Sequence, residues 1–307
     1  MTNTKKIIAI DAGKFNLKGK SDIGELIFNT KYSEHETDAE LLGEKTYNVS
    51  YKGKKYTVGN NATIPDMNEG KDSEVHILST LTAIALLRGE AKEIVLMYGE
   101  SFNKYSNPDH KRRLKSLFEG EHTITVGSHT HTFTINLCHI LPEGIGHILC
   151  DMETYKGVQY TVDWGGTTAI FIKTMNGRPD MDISASFHLG MHNINAIVSR
   201  ELIKAGIGRY DMDMIGEWIQ NGCDFNSDIQ RIIDETVKQQ LLKIDKELSG
   251  FGINLHVYQQ GITFIGGTSQ LFQSHIRKHY KYSNIHKNCL KANVNGFYEY
   301  GVAKYGR

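Results

Sequence analysis

The same local pattern occurs twice in this chain: an apolar strand, a tight Asp-x-Gly turn, and a second strand that runs back. The first copy is Ile-Ile-Ala-Ile followed by Asp11 and Gly13, and the second is Tyr-Thr-Val followed by Asp163 and Gly165. The two aspartates are separated by half of the 307-residue chain. One such turn is typical of an ordinary hairpin. Two at this spacing predict an α/β fold whose second half repeats the first, packed as one body with a cleft.

Apolar periodicity and turn residues predict the remaining elements. The predicted helices are 79–87, with Ser79 as N-cap, 108–118, 191–205, 228–248 and a last helix that begins near 292. The predicted strands include 93–98 and 261–265, and residues 30–75 alternate around turn signals, which favours a small β-rich insert. From this order we predict domain I at 1–148 plus 292–307, with the insert, and domain II at 149–291.

Composition excludes several classes of protein. The 35 Lys and Arg balance the 35 Asp and Glu, which disfavours nonspecific nucleic-acid binding as the main task because that needs a basic excess. The four cysteines are far apart and show neither zinc spacing nor a disulfide-dense pattern, so we expect reduced thiols. A polar N-terminus and short apolar runs predict neither a signal peptide nor a membrane span, and hence a cytoplasmic protein.

The two Asp-x-Gly turns have a composition suited to phosphate and metal. Glycine lets the backbone approach an anion, and N–H groups at a tight turn form a nest for phosphate oxygens. The Asp at each strand end can hold hydrated Mg²⁺. Lys18, on the return strand, can reach a phosphate as a point charge, although a solvated strand lysine is the alternative. Neither a P-loop nor a G-x-G-x-x-G helix start is present.

A third turn follows the strand predicted at 261–265. Its Gly266-Gly267-Thr268 has no bulky side chain and can lie flat against a nucleoside. By itself it is a common strand-to-helix connection.

The three turns together resemble, in order and spacing, the two phosphate motifs and the adenosine motif of the actin-like ATPase superfamily. Within it the chain is most similar to the ParM-type bacterial actins that segregate plasmids. The segments that carry this closer resemblance are Tyr56-Thr57-Val58-Gly59, Leu141-Pro142-Glu143-Gly144 and Asn293-Val294-Asn295-Gly296-Phe297. The resemblance implies an actin-like, ribonuclease-H-like duplicated fold with two domains flanking a nucleotide cleft.

The resemblance also implies the site residues. Asp11 and Asp163 would organise Mg²⁺, and Glu143 would position the attacking water, with an exposed loop residue as the alternative reading of Glu143. The residues implied for the nucleotide are Gly13, Asn16, Lys18, Gly165, Gly166 and Thr167 at the phosphates, Gly266, Gly267 and Thr268 at the base and ribose, and Glu201 and Lys204 at the nucleoside. The first turn departs from the family in having Lys14-Phe15 where small or hydroxyl residues are usual, which leaves Asn16 as the nearest substitute.

By the same resemblance the protein would be a Mg²⁺-dependent ATPase, or GTPase, whose hydrolysis is coupled to filament formation and plasmid segregation. Its partners would be further copies of itself and a DNA-binding adaptor on centromere DNA, without direct sequence-specific DNA binding. A sugar or acid kinase on the same fold is the alternative, but it requires a base carboxylate beside an acceptor pocket, for which we find no motif. A nucleotide-binding regulator without turnover is a third class.

Two further features invite a functional reading. His129 and His131 would share one face of a strand, as metal ligands can, but no third ligand follows by spacing, and an exposed hairpin is the stronger prediction. Trp164, inside the second turn, is predicted to pack in the core rather than stack on a base.

Overall fold

The computed structural model describes residues 5–38, 41–65, 70–223, 226–257 and 262–306. The chain divides into two compact units. Unit 1 consists of Met1–Thr154 and Asn293–Arg307, and unit 2 of Tyr155–Ala292. The limits that the sequence suggests for the two domains stay a prediction.

Unit 1 is built on a mixed sheet. Its strands are β1 (Lys6–Ala12), β2 (Asn16–Ser21), β3 (Gly24–Asn29), β4 (Lys31–Ser33), β5 (Thr46–Tyr51), β6 (Lys54–Gly59), β7 (Ile64–Pro65), β8 (Glu93–Glu100), β9 (Gly120–Val126) and β10 (His129–Pro142). Their order across the sheet is β3-β2-β1-β8-β10-β9-β5-β6-β4-β7. β8 runs parallel to both β1 and β10. The β-rich insert is present, and β5 beside β9 makes it an extension of this sheet; residues 39–40 and 66–69 lie outside the described residues.

The apolar run of β1 is explained by burial on both faces. Ile8, Ile10 and Ala12 belong to the core on one face of the sheet, while Ile7 and Ala9 pack on the other. Strands buried on both sides have continuous rather than alternating apolar sequences. This run therefore places Asp11, at the end of β1, at the boundary of a rigid core.

Four helices of unit 1 are α1 (Glu74–Leu87), α2 (Phe102–Tyr105), α3 (Pro108–Phe118) and α4 (Gly146–Cys150). The helix predicted at 108–118 is confirmed as α3. The side chain of Asn107 caps it by accepting from the N–H groups of Asp109 and His110, and Pro108 occupies the first helical position, where proline is favoured. The prediction of Ser79 as an N-cap is wrong, since α1 begins at Glu74, after Ser73, and Ser79 is buried within it. The extra turn contains a buried histidine, His76, which a count of apolar residues does not register.

Unit 2 repeats the arrangement on a smaller sheet. Its strands are β11 (Val158–Trp164), β12 (Ala169–Met175), β13 (Arg178–Pro179), β14 (Ala185–Phe187), β15 (Ile262–Ile265) and β16 (Ser283–Ile285). Its helices are α5 (Met191–Lys204), α6 (Met212–Asn221), α7 (Ser227–Ser249), α8 (Gly267–Leu271) and α9 (Gln273–His279). β11 pairs antiparallel with β12 and parallel with β15, as β1 pairs with β2 and β8. The predicted repeat is thus confirmed; Gly261, predicted to begin β15, lies outside the described residues.

The last helix, α10 (Ala292–Tyr305), lies close against the segment that follows β10. A Cβ added to Gly296 would lie 1.8 Å from the carbonyl oxygen of Gly146, so only glycine permits this approach. The side chain of Asn293 accepts hydrogen bonds from the N–H groups of Gly144, at 3.0 Å, and Gly146, at 3.3 Å. These contacts fix the backbone around Glu143. In the described part of the chain, the helices are all too short or too polar to span a bilayer.

A pH dependence of stability is expected from His139, which β10 presents to α10. Its Nδ1 lies 2.8 Å from the hydroxyl of Tyr305, and burial, then Lys304 and Lys115, lower the pKa of His139 to about 4. The ordinary pKa of the unfolded chain is about 6.5, so between these values the unfolded state binds more protons and stability falls as the pH falls. Since the ring is partly solvated, we expect a loss of about 1 kcal/mol from pH 7 to pH 5.

Urea unfolding at pH 5 and pH 7 measures this contribution. His139→Gln should lose less stability than the parent between the two values, by that same amount. His129→Gln, at an exposed position of the same strand, is the control and should behave like the parent. Equal pH dependence of His139→Gln and the parent would contradict the assignment.

Candidate phosphate and nucleotide turns

The first turn joins β1 to β2 and is held from behind. The Thr30 hydroxyl donates to the Gly13 carbonyl at 2.5 Å, and the Thr30 N–H donates to the Phe15 carbonyl at 3.0 Å. The imidazole Nε2 of the buried His76 lies 3.1 Å from the Ala12 carbonyl. Three carbonyls of the turn are therefore satisfied from within the unit, which fixes its conformation. Phe15, at the departure from the family pattern, is 46% exposed.

Asp11 and Lys18 face each other across this hairpin. They are a register pair of β1 and β2, and the Lys18 Nζ lies 3.3 Å from the Asp11 Oδ2. A Cβ on Gly13 would lie 3.3 Å from the same Nζ, so the ammonium lies over the turn. Burial raises the pKa of Asp11, but the charges of Lys18 and Lys71 outweigh it and the pKa is lowered overall. The structure thus brings Asp11, Gly13 and Lys18 together, as predicted, with Asn16 at the start of β2.

Lys71, which no sequence motif singles out, lies between two of the predicted site residues, Asp11 and Glu143. It is 3% exposed, forms an ion pair with Glu143, and its Nζ lies 3.7 Å from Asp11 Oδ1. The Nζ also donates to the Gly99 carbonyl at 3.0 Å. Burial would lower the pKa of Lys71, but the carboxylates of Glu143, Asp11 and Glu100 raise it overall. A buried ammonium therefore links the predicted metal carboxylate to the predicted water-positioning carboxylate.

A second buried carboxylate, Glu100, supports this group. It accepts from the Ser101 N–H at 2.6 Å and the Lys71 N–H at 3.4 Å, and it lies 2.8 Å from the His110 Nε2. Burial raises its pKa, but His110, Lys71 and Ser101 lower it overall. The Glu143 N–H donates to the Glu100 carbonyl at 2.8 Å. The position of Glu143 is therefore determined by backbone and side chain together.

The second turn, in unit 2, joins β11 to β12 and lies against the start of α5. The Gly165 N–H donates to the Thr168 carbonyl at 2.8 Å. The N–H groups of Gly190, Met191 and His192 donate to the carbonyls of Thr167, Gly165 and Gly166 at 3.1, 3.2 and 2.8 Å, respectively. The first turn of α5 thus satisfies its own unpaired donors by holding the turn. Asp163, at the end of β11, is buried.

The third turn contacts the second. The Thr268 hydroxyl donates to the Gly165 carbonyl at 2.7 Å, and the Gly266 N–H donates to the Cys289 carbonyl at 2.9 Å. Gly266 has φ 92° and ψ 159°, a region that is open essentially to glycine alone. Trp164 packs in the core as predicted: it is fully buried and its Nε1–H donates to the Leu189 carbonyl at 2.7 Å.

Within unit 2, Glu201 and Lys204 are not brought to the second turn. They lie in the last turns of α5, about 15 Å along the helix from the end that contacts Gly165, and pair with each other at 2.9 Å on the surface. Their predicted contact with the nucleoside stays a prediction. His129 lies exposed at the start of β10, where the predicted β9–β10 hairpin is found.

Each turn, taken by itself, offers an oxygen ligand suited to a hydrated magnesium ion. Mg²⁺ prefers oxygen ligands and keeps several of its waters, and each turn provides one buried aspartate at a strand end, Asp11 and Asp163. The lowered pKa of Asp11 means that its carboxylate is ionised. Lys18 beside it supplies positive charge suited to phosphate.

Two comparisons with known proteins agree with this geometry. Residues 9–146 match the family model for the N-terminal domain of actin-like proteins. The matched segment, slightly less than half of the chain, therefore resembles the N-terminal domain of actin-like proteins. None of the curated protein sequences matches it.

Solved structures of low sequence identity share the whole fold. A 15-stranded ParM filament from Clostridium botulinum has 17% identity and a TM-score of 0.79, with 98% of this chain and 99% of that chain covered. The Alp12 filament has 22% identity and a TM-score of 0.72, with the same two coverages of 98% and 99%. An archaeal actin homologue in complex with ADP has 16% identity and a TM-score of 0.75, with 97% and 100% covered. The resemblance to ParM-type bacterial actins, predicted from the three turns, is confirmed, and so is the actin-like fold.

Proposed function

We propose that this protein is a Mg²⁺-dependent nucleoside triphosphatase, of ATP or GTP, that assembles into filaments to segregate plasmid DNA in the cytoplasm. The observation that carries the proposal is the placement of Asp11 with Lys18 in one unit and of Asp163 beside Gly266 in the other, each on a turn held by its own core. Turns that are fixed in advance bind phosphate without a cost of ordering the loop.

Nucleotide binding is supported by the chemistry of the turns. In the first turn, Lys18 gives a charge-assisted donor beside an ionised aspartate. In the second, the Gly165–Thr168 backbone is held from one side by α5 and from another by Thr268. The ADP complex of the archaeal homologue is an independent reason to expect a nucleotide here.

Filament formation is supported by two relatives whose structures are filaments, the C. botulinum ParM and Alp12. Assembly and nucleotide state would then be linked equilibria. A coupling of about 1–3 kcal/mol changes subunit affinity about 5–150-fold, which is enough for assembly with triphosphate and disassembly with diphosphate.

The link to plasmid DNA is proposed to run through a DNA-binding adaptor. The zero formal net charge of the chain supports an indirect link, because direct binding to phosphate backbones relies on a basic excess. Tight binding of the purified protein to random DNA at physiological salt, without an adaptor, would count against this part of the proposal.

Aspartate variants test the metal assignment. Asp11→Asn and Asp163→Asn remove the charge that orients hydrated Mg²⁺, so each should raise the Mg²⁺ concentration needed for half-maximal phosphate release by about 10–100-fold, as loss of an outer-shell partner does. Phosphate release is followed across a Mg²⁺ titration with ATP and with GTP.

The controls are Asp22→Asn in unit 1 and Asp182→Asn in unit 2, both at exposed positions, and both should keep the parent's Mg²⁺ dependence. If Asp11→Asn and Asp163→Asn match the parent with both nucleotides, the site assignment is wrong. A parent that transfers phosphate to a sugar and forms no filaments would instead favour the kinase alternative.

A further inference from the structure

Unit 2 contains a cluster of side chains that could ligate a metal ion and that do not belong to the turns described above. Asp245 on α7, His256 in the loop that follows and His279 at the end of α9 each offer one ligand atom, and these atoms all lie within 4.8 Å of one another. The Asp245 Oδ2 lies 3.2 Å from the His256 Nε2 and 2.7 Å from the His279 Nε2. Two imidazole nitrogens from different elements therefore point at the same carboxylate oxygen.

We propose that Asp245, His256 and His279 bind a zinc ion, with water in the fourth position. Zn²⁺ takes histidine nitrogen and carboxylate oxygen in a tetrahedral arrangement, with bonds of about 2.0–2.2 Å. Such bonds place neighbouring ligand atoms about 3.3 Å apart. The two observed separations from Asp245 Oδ2 are both shorter than this, 3.2 Å to His256 Nε2 and 2.7 Å to His279 Nε2. Outward movement of the His279 ring would therefore admit the ion.

The carboxylate is positioned by a further side chain, as ligands of a built metal site are. The hydroxyl of Tyr280 donates to the other oxygen of Asp245, Oδ1, at 2.8 Å. Tyr280 is fully buried and stacks on Phe264 of β15, with ring centroids 5.4 Å apart. Tyr280 therefore holds Oδ2 toward the two histidines, because its own hydrogen bond goes to Oδ1.

The charge of the cluster also favours a cation. The Asp245 carboxylate accepts from Tyr280 at one oxygen and faces His256 and His279 with the other. An aspartate carboxylate is ordinarily an anion at neutral pH, and both imidazoles can present a lone pair to a metal when neutral. The bound ion would tie the end of α7, the loop before β15 and the end of α9 into one rigid group.

Calorimetric titration of ZnCl₂ into the full chain, prepared without a polyhistidine tag, tests the proposal. We expect one saturable site in the parent, and a Co²⁺ spectrum of tetrahedral type when cobalt replaces zinc. His256→Gln, His279→Gln and Asp245→Asn should each weaken binding by at least about tenfold, and Tyr280→Phe by about 10–100-fold. Zinc at a hundred times its Kd should raise the parent's melting temperature by about 5–10 °C.

The matched control is His275→Gln. His275 pairs with Asp234 at 3.1 Å but in a pair rather than in a group of three, so this variant should bind zinc like the parent. His256 is half exposed in a loop, so its replacement tests the site even if a change of His279 disturbs folding. Absence of saturable binding in the parent, or equal affinity in His256→Gln and His275→Gln, would overturn the proposal.

Discussion

Replacement of Glu143 by glutamine is expected to slow nucleotide hydrolysis by about 10²–10⁴-fold while leaving nucleotide binding close to that of the parent. A side chain that orients the attacking water contributes a factor of this size, and it contributes little to the bound ground state. The expectation rests on the proposed triphosphatase activity. The structure adds that the backbone of Glu143 is fixed by Glu100 and that of Gly144 by Asn293.

Lys71 makes glutamine the right replacement. Lys71 is buried and its ammonium is paired with Glu143. Removal of the whole Glu143 side chain would leave this buried charge with fewer partners, which is strongly destabilising. Glutamine keeps an oxygen that can accept from the Lys71 Nζ. Loss of activity in Glu143→Gln then reports on the carboxylate rather than on a collapsed site.

Light scattering and phosphate release, followed in the same sample, measure the effect. The variant should assemble with triphosphate and persist, whereas the parent should disassemble as nucleotide is consumed. Glu121→Gln, at an exposed position of β9, serves as control. If Glu143→Gln hydrolyses and disassembles at the parent's rate, Glu143 pairs with Lys71 but does not position the attacking water. A parent that releases phosphate without scattering would refute the filament proposal itself.

Local signals account for what the sequence predicted well. The start of α3 follows from Asn107 and Pro108, which are sufficient to mark a helix start. The two hairpins follow from apolar runs that end in Asp-x-Gly, and the pairing of β1 with β2 and of β11 with β12 bears this out. The resemblance between the two hairpins was also visible because their side-chain pattern is local.

Contacts between distant segments account for what the sequence did not predict. Lys71 reads as one more surface lysine until the fold places it between Asp11 and Glu143. His256 and His279 are far apart along the chain, and only the packing of α7 against α9 brings them to Asp245. Helix α6 is not among the predicted helices, although Asp211 caps it through the Met214 N–H, which is a local signal of a helix start.

Gly266→Ala is expected to destabilise unit 2 by about 2–5 kcal/mol, because backbone strain and overpacking act together. An added Cβ would lie 2.4 Å from the carbonyl oxygen of Trp164 and 2.5 Å from the Asp163 Oδ1. The alanine would also have to adopt the φ of +92° that Gly266 has, which is strained for a residue with a side chain. The substitution should therefore displace the Asp163 carboxylate and weaken nucleotide binding in the molecules that still fold.

The neighbouring glycine gives a matched control. A Cβ on Gly267 would meet the flexible end of Leu290 at 3.3 Å, and its φ is not positive, so Gly267→Ala should stay within about 1 kcal/mol of the parent. Urea unfolding and titration with a fluorescent nucleotide measure the two effects separately. If both variants unfold at the parent's midpoint, the close packing of the third turn on the second does not constrain the fold. If Gly266→Ala is destabilised and yet binds nucleotide like the parent, Asp163 does not require this packing to act.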